Sequence, residues 1–394
     1  MSRTRVPVRA ASAVTLALAS LSLGIAAPAS QAAETALPTA DKSQLAQIAD
    51  TYLQRRADAV TLSRTQTLRA PAPLALTAQA ADVLGGEITA LQANATTLEK
   101  RWSGFSRAEV TVIPGKGTVS GDTATLAIEE ETRLYLADVK EGATITYTTY
   151  VLPHTLTFKR AADGAWKLAD DQTPANGSGP AVPTQLEGPA TLSEPVPDDE
   201  ILPAPVDEGP KPPPSSDVPG GDAPLRDKTM DGPLAGYNYT SMVNYARKYS
   251  LRGNGNFRTY GQDCTNFISQ AVAAGGWAQT SGGIFDRANT RKWWYGSLSS
   301  TTSYTWAGAE NWYWFARNSG RAKNISNVWN MFPSDVLQAD WGPNPNSNLN
   351  HTMMVTGREG GMLYLSYHTP NSVDMPLSYI KARNPGTWFY AHRT

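Results

Sequence analysis

The chain has 394 residues, with 34 Lys+Arg against 35 Asp+Glu, a formal net charge of -1 and 41% hydrophobic residues. At about 150 residues per domain that is material for two or three packed domains, and the balanced charge argues against a nucleic-acid binder, which carries a basic excess. The single cysteine excludes an intramolecular disulfide and any multi-cysteine zinc or iron–sulfur site.

Residues 1–33 read as a secretory signal. Arg3, Arg5 and Arg9 precede an uncharged Ala/Leu/Val-rich stretch over 10–27, and Ser30-Gln31-Ala32 supplies the small residues before cleavage after Ala32 or Ala33. The most apolar part, 14–27, is shorter than the roughly 20 residues that span a bilayer. The expectation is a secreted, extracellular protein with no stable membrane insertion after cleavage.

Residues 34–173 form the next block. Asp41-Lys42-Ser43-Gln44 reads as a capping box, and Leu45, Ile48, Ala49, Tyr52 and Leu53 follow on one helical face. Pro71 and Pro73 break the chain. A second helical stretch carries Val83, Ile88, Leu91 and Leu98 and is weakened by Gly85-Gly86. Strands are predicted over 109–113, 123–135, 144–160 and 166–168, with turns at Gly121-Asp122 and Asp163-Gly164. Helices followed by an antiparallel meander make a small α+β domain, and this order resembles the cystatin-like, NTF2-like modules that precede secreted catalytic domains. His154 reads as an ordinary strand residue.

Residues 174–230 read as a Pro-rich, acidic, disordered linker. Over 174–224 there are 14 prolines, nine acidic residues and one basic residue, with no aromatic, too little apolar surface to offset the entropy of ordering. Residues 231–394 differ again: nine of the 11 tryptophans, a net charge of +6, the cysteine and three of the four histidines are here.

Cys264 lies in the first turn of a predicted helix that runs from Asp263 or Cys264 to Ala274 and ends at Gly275-Gly276. Asp263 is placed to cap it. A cysteine in the first turn faces free amides and the positive end of the macrodipole, which favour a thiolate and suit a developing oxyanion. Two strands follow, 350–357 and 362–369, joined by Arg358-Glu359-Gly360-Gly361. Pairing Gly357 with Met362 sets His351 opposite His368 on one face. His351 then serves Cys264 as base, with His368 as the third member that orients it; Asn371 is the alternative for that role. Cys264, His351 and His368 are also zinc-ligand types, but the close spacing of zinc motifs is absent, and no metal or other cofactor is expected. His392 is assigned no role.

These residues carry a resemblance. Tyr237-Asn238-Tyr239, Tyr245-Ala246, the run Asp263-Cys264-Thr265-Asn266-Phe267-Ile268-Ser269-Gln270, Gly275-Gly276-Trp277, His351 to Thr356 and His368-Thr369-Pro370-Asn371 resemble the family described as "putative amidase domain", within the papain-like cysteine peptidase superfamily. The order of cysteine, histidine and polar residue is similar to that of NlpC-type and CHAP-type cell-wall hydrolases. Pro333-Ser334-Asp335 stands where many relatives have Pro-Gly-Asp, a loop change. The resemblance implies that Cys264 is the nucleophile, His351 the base and His368 or Asn371 the orienter. It also implies a papain-like α+β domain over 231–394 that cleaves an amide, with cell-wall peptide as the substrate class. The rival reading is a surface-binding module on the same scaffold without turnover. The aromatics Trp293, Trp294, Tyr295, Trp306, Trp312, Tyr313, Trp314, Trp329 and Trp341 read first as core and second as a groove wall.

Overall fold

A computed structural model describes residues 34–62, 73–173, 179–186, 208, 210–219, 236–341 and 348–394. The expected signal segment lies outside the described residues. No helix among them is long and apolar enough to cross a membrane.

The N-terminal block is α+β, as its pattern predicts. β1 (Thr35–Ala36) is followed by α1 (Thr39–Ala59) and α2 (Ala78–Arg101), then β2 (Phe105–Ser120), β3 (Thr123–Leu136), β4 (Tyr147–Arg160) and β5 (Trp166–Gln172). Helix α1 starts two residues before the expected capping box. Asp41 sits in its first turn and pairs with Arg160 instead. Helix α2 runs through Gly85-Gly86 without a break, and its buried stripe is Leu84, Leu91 and Leu98, with Val83 turned to solvent. The stripe advances by whole heptads, so it keeps one face toward the sheet. The turn at Gly121-Asp122 joins Ser120 to Thr123 directly across the hairpin.

The C-terminal region contains α3 (Tyr239–Tyr249), α4 (Cys264–Ala274), α5 (Tyr304–Ala307), α6 (Ala309–Asn318), β6 (Lys323–Ile325), β7 (Val336–Asp340), β8 (His351–Glu359), β9 (Met362–Tyr367), β10 (Asn371–Pro376), α7 (Leu377–Arg383) and β11 (Trp388–Arg393). Its strands join those of the N-terminal block in one antiparallel sheet of order β1-β2-β3-β4-β10-β9-β8-β7-β11-β6, with β5 also on β4. The junction is β4. Its 14 residues are long enough, at about 3.3 Å each, to pair β10 through Thr149, Tyr150 and Val151 and β5 through 155–160 on the same edge.

This continuity corrects the expectation of a linker extended throughout 174–230. Residues 179–184 are buried, and Ser215 and Ser216 bond to Phe389, Ile325 and Ser326 at the far end of the sheet. The apolar residues in these stretches, and the backbone bonds they offer, outweigh the local proline and acidic bias. One buried cluster draws on both halves, with Leu91, Leu98, Phe105 and Leu134 beside Leu337, Trp341, Met353 and Tyr367. The other face of the C-terminal strands carries α3, α4 and the tryptophans Trp277, Trp293, Trp306 and Trp312. These rings stack on one another, Trp277 on Trp312 and Trp293 on Trp306 and Phe315. Of the aromatics read first as core, Trp293, Trp306 and Trp312 are fully buried in this cluster.

His154 departs from its expected ordinary role. Its ring is buried between Glu130 (2.9 Å) and Asp171 (2.8 Å), with Tyr52 donating to Asp171 and Tyr150 to Glu130, and Arg56 against Tyr52. Burial opposes its charge, but hydrogen bonds to Asp171 and Glu130 and their charges prevail and lift it to about 9. A histidine raised in the folded state adds stability that is complete below its unfolded pKa near 6.5 and lost as pH rises through 9. The urea midpoint is therefore expected to fall between pH 6.5 and 9.5, by the equivalent of roughly 3 kcal/mol at most. His154→Gln is expected to flatten that slope; an unchanged slope in the variant would assign it to other groups.

Candidate functional site

The site is built around the first turn of α4. The helix begins at Cys264 and ends at Gly275-Gly276, as the pattern predicts. Gly275 is required there, since a Cβ would lie 2.2 Å from the Met242 side chain. The polar side chains of the run 263–270 are spent on fixing this helix. Thr265 Oγ1 bonds Thr352 Oγ1 at 2.9 Å. Asn266 donates to Asp263 and the Arg258 carbonyl and accepts from the Trp306 indole. Ser269 donates to the Trp306 carbonyl and accepts from Trp293, and Gln270 accepts from Tyr245. Cys264, 2% exposed, sets its sulfur 3.7 Å from Thr265 Oγ1.

Asp263 stands at the N-cap position, but its carboxylate accepts none of the first-turn amides. One oxygen takes the Tyr260 N–H and the Asn266 amide, and the other meets His368 Nδ1 at 2.5 Å. The expectation of a side-chain cap is corrected: a charge-assisted pair to His368 binds the buried carboxylate more strongly than a helix amide would.

His351 opens β8, fully buried, with the Trp341 and Tyr367 rings 5.8 and 5.5 Å from its own. The bond between Thr265 and Thr352 ties the residue after the cysteine to the residue after this histidine. The hairpin places His368 differently from the expected register. Glu359 pairs with Met362, so the turn is the two residues Gly360-Gly361, both at positive φ. Such a turn suits a two-residue hairpin because glycine adopts φ > 0 without strain. The tight turn moves the pairing by two residues and an irregularity between Val355 and Gly357 returns one. Val355 then faces Leu365 and Met354 faces Ser366, a register that, continued to His351, would meet position 369 rather than His368.

A one-residue slip sends the side chain to the other face. His368 lies in the turn beyond β9, stacked on Phe267 at 4.0 Å, with Nε2 donating to the Tyr249 carbonyl at 3.0 Å and Nδ1 on Asp263. Both ring nitrogens are engaged, so His368 positions Asp263 and is not the group that orients His351. Asn371, the alternative, opens β10 and donates its amide to the Leu251 carbonyl at 2.9 Å. Cys264, His351 and His368 do not converge as a ligand set, and no group of three His, Cys, Asp or Glu residues suited to a metal occurs among the described residues. His392 is buried against Trp312 and Tyr313, its pKa pushed down to about 3 by burial, with Arg317 adding to it.

Removing one partner of a buried hydrogen-bonded pair leaves the other unsatisfied and costs about 1–3 kcal/mol, more where a charged group is left. His368→Ala is accordingly expected to lower unfolding stability by roughly 3 kcal/mol, read from urea denaturation; a loss below about 1 kcal/mol would mean that Tyr260 and Asn266 alone satisfy Asp263.

Two features of the site escaped the pattern of residues. The Asp263–His368 pair spans 105 positions, and no local signal joins them. Gly179, from the stretch expected to be linker, lies against His351 and Thr369: a Cβ on it would fall 3.2 Å from His351 Cε1 and 2.0 Å from the Thr369 carbonyl oxygen. Thr369 in turn accepts the Asp263 N–H through Oγ1 at 3.1 Å.

Two curated proteins of Bacillus subtilis (strain 168) are 30% identical to the chain: the uncharacterized protein YjcM over 160 residues, 39% of this chain and 36% of that protein, and the uncharacterized protein YhbB over 132 residues, 33% and 40%. The chain thus spans well under half the length of either. The crystal structure of the Kfla4162 protein from Kribbella flavida shares 19% identity at a TM-score of 0.22, over 34% of this chain and 90% of that one. Residues 236–392, which contain α4, β8 and the turn bearing His368, match the family model described as "Putative amidase domain", and this match points to amide hydrolysis.

Proposed function

We propose that residues 236–392 form a cysteine amidohydrolase of papain-like arrangement, with Cys264 as nucleophile and His351 as base. The observation that carries the reading is the placement of the cysteine in the first turn of α4, tied through Thr265 and Thr352 to the strand that begins at His351, within a stretch matching an amidase model. The macrodipole there favours the thiolate.

The thiol proton passes to His351 as the sulfur attacks the substrate's carbonyl carbon. The C–N bond then breaks, the amine leaves with the proton from the imidazolium, and a thioester remains. Water next gives a proton to His351 and its oxygen attacks the thioester. The carbon–sulfur bond breaks, the acid product leaves and the thiol is restored. First-turn amides of α4 supply the dipole that stabilises the oxyanion in both halves. The substrate class is a cell-wall peptide or related amide, met outside the cell after export; this rests on the resemblance of the motifs and on the signal-like segment 1–33.

Mass spectrometry of purified peptidoglycan after incubation tests the reading. Fragments bearing a new amine and a new carboxylate are expected from the unaltered protein and none from Cys264→Ala. The same fragments from the variant would overturn the mechanism.

A further inference from the structure

Residues 179–186, Gly-Pro-Ala-Val-Pro-Thr-Gln-Leu, carry no charge inside a strongly acidic stretch. They are also packed as a linker is not: Ala181, Val182 and Thr184 are nearly inaccessible, and Val182 belongs to the cluster shared by both halves. We infer that this segment is a strap whose Gly179 end fills the space beside His351 and keeps Cys264 closed off until that end moves. The inference rests on the reading of Cys264 and His351 as the reactive pair.

The two ends of the strap are held differently. At the far end, Val182 and Gln185 close a turn on each other, Gln185 N–H to the Val182 carbonyl at 2.9 Å and Val182 N–H to Gln185 Oε1 at 3.3 Å. Arg56 of α1 donates to the Thr184 carbonyl at 2.9 Å, and Tyr150 of β4 shares a 2.7 Å bond with the Thr184 hydroxyl. Arg383 of α7 donates to the carbonyls of Gln185 and Leu186 at 2.8 and 3.0 Å. Three elements therefore anchor that end.

At the Gly179 end, shape decides. The Gly179 backbone approaches the Thr369 carbonyl so closely that any side chain would meet it at 2.0 Å, and it lies against His351 Cε1. Thr369 is bonded to the amide of Asp263, the residue before the cysteine. A substrate whose carbonyl must reach Cys264 beside this imidazole competes for the same space. Because the strap is part of the chain, it competes at a high effective concentration. Loosening the anchor, or making the Gly179 end too large, should open the site.

Alkylation of Cys264, the one cysteine, by iodoacetamide reads this directly by intact mass and requires no turnover. In the native protein at fixed pH, Gly179→Ala and, at the anchor, Thr184→Val and Arg383→Ala are each expected to raise the alkylation rate about tenfold or more, as local opening becomes easier. Circular dichroism and cooperative melting are expected to remain. Folded variants that alkylate at the unaltered rate would overturn the strap. Hydrogen exchange in the unaltered protein gives a second readout: the bonded amides of Val182 and Gln185 should be protected, and exchange at the rate of an open chain would overturn it equally. A silent amidase assay with faster alkylation would sink the proposed activity and leave the strap standing. Faithful amide cleavage with unchanged alkylation would do the reverse.

Discussion

Replacing Cys264 by alanine is expected to lower amide hydrolysis by about 10⁴-fold or more, because loss of the nucleophile removes the covalent route rather than weakening it. The fold should survive. The side chain is small, and α4 is fixed by Asn266, Ser269, Gln270 and the Thr265–Thr352 bond; the sulfur adds only a 3.7 Å contact to Thr265 Oγ1. His351→Gln should come close to the same loss, since residues acting as one unit are not additive, and the double variant should be little worse than either. Parallel rate and melting measurements check this. A Cys264→Ala protein that retains activity would show that the reaction belongs to another group.

The largest loss of stability is expected at Trp293. Its ring is fully buried, stacks on Trp306 at 4.6 Å and on Phe315 at 5.7 Å, and meets Trp277 edge-on at 6.0 Å. Its indole N–H donates to Ser269 of α4 at 3.1 Å. Trp293→Ala removes the centre of this stack, and a buried aromatic cut to alanine costs about 3–5 kcal/mol through lost transfer energy and the cavity left behind. Because the stack lies under α4, the variant should also loosen the first turn and alter Cys264 reactivity. Chemical denaturation reads the first effect; a cost below about 1 kcal/mol would place the stack outside the folding core. Trp293→Phe should recover part of the loss, since it keeps a ring in place but not the bond to Ser269.

How far the sequence reveals this protein depends on the range of the signal. Helix α4 was legible to within one residue at its start and to the residue at its end, because the apolar face at Phe267, Ile268, Ala271 and Val272 and the closing glycines all lie within one short window. Strands β3 and β4 and their turns were legible for the same reason. The hairpin β8–β9 was recognisable, but its register was not. Two glycines permit either a four-residue loop or a two-residue turn, and the irregularity near Thr356 has no local signature. That single shift moved His368 from beside His351 to beside Asp263, and with it the expected third member of the site.

The joining of the halves was hidden for a related reason. β4 looks like an ordinary long strand, and nothing within it announces that β10, more than 200 residues onward, shares its edge. Proline and acidic content over 174–224 is an average across 51 positions. It concealed an uncharged run of eight that packs like core. His154 was misjudged because its partners Glu130 and Asp171 come from two neighbouring strands, β3 and β5; a histidine between apolar residues gives no hint of two carboxylates facing it.

The central claim is that the Cys264 thiol and the His351 imidazole act as one unit. The pH dependence of iodoacetamide alkylation tests it most directly, because comparison with His351→Gln cancels any effect of how often the strap opens. An ordinary thiol ionises near pH 8.5, and its alkylation falls about tenfold for each pH unit below that. The account predicts a rate in the unaltered protein that stays nearly level down to about pH 6, in the range where an imidazole titrates, and an ordinary steep profile in His351→Gln. Steep profiles in both proteins would contradict it.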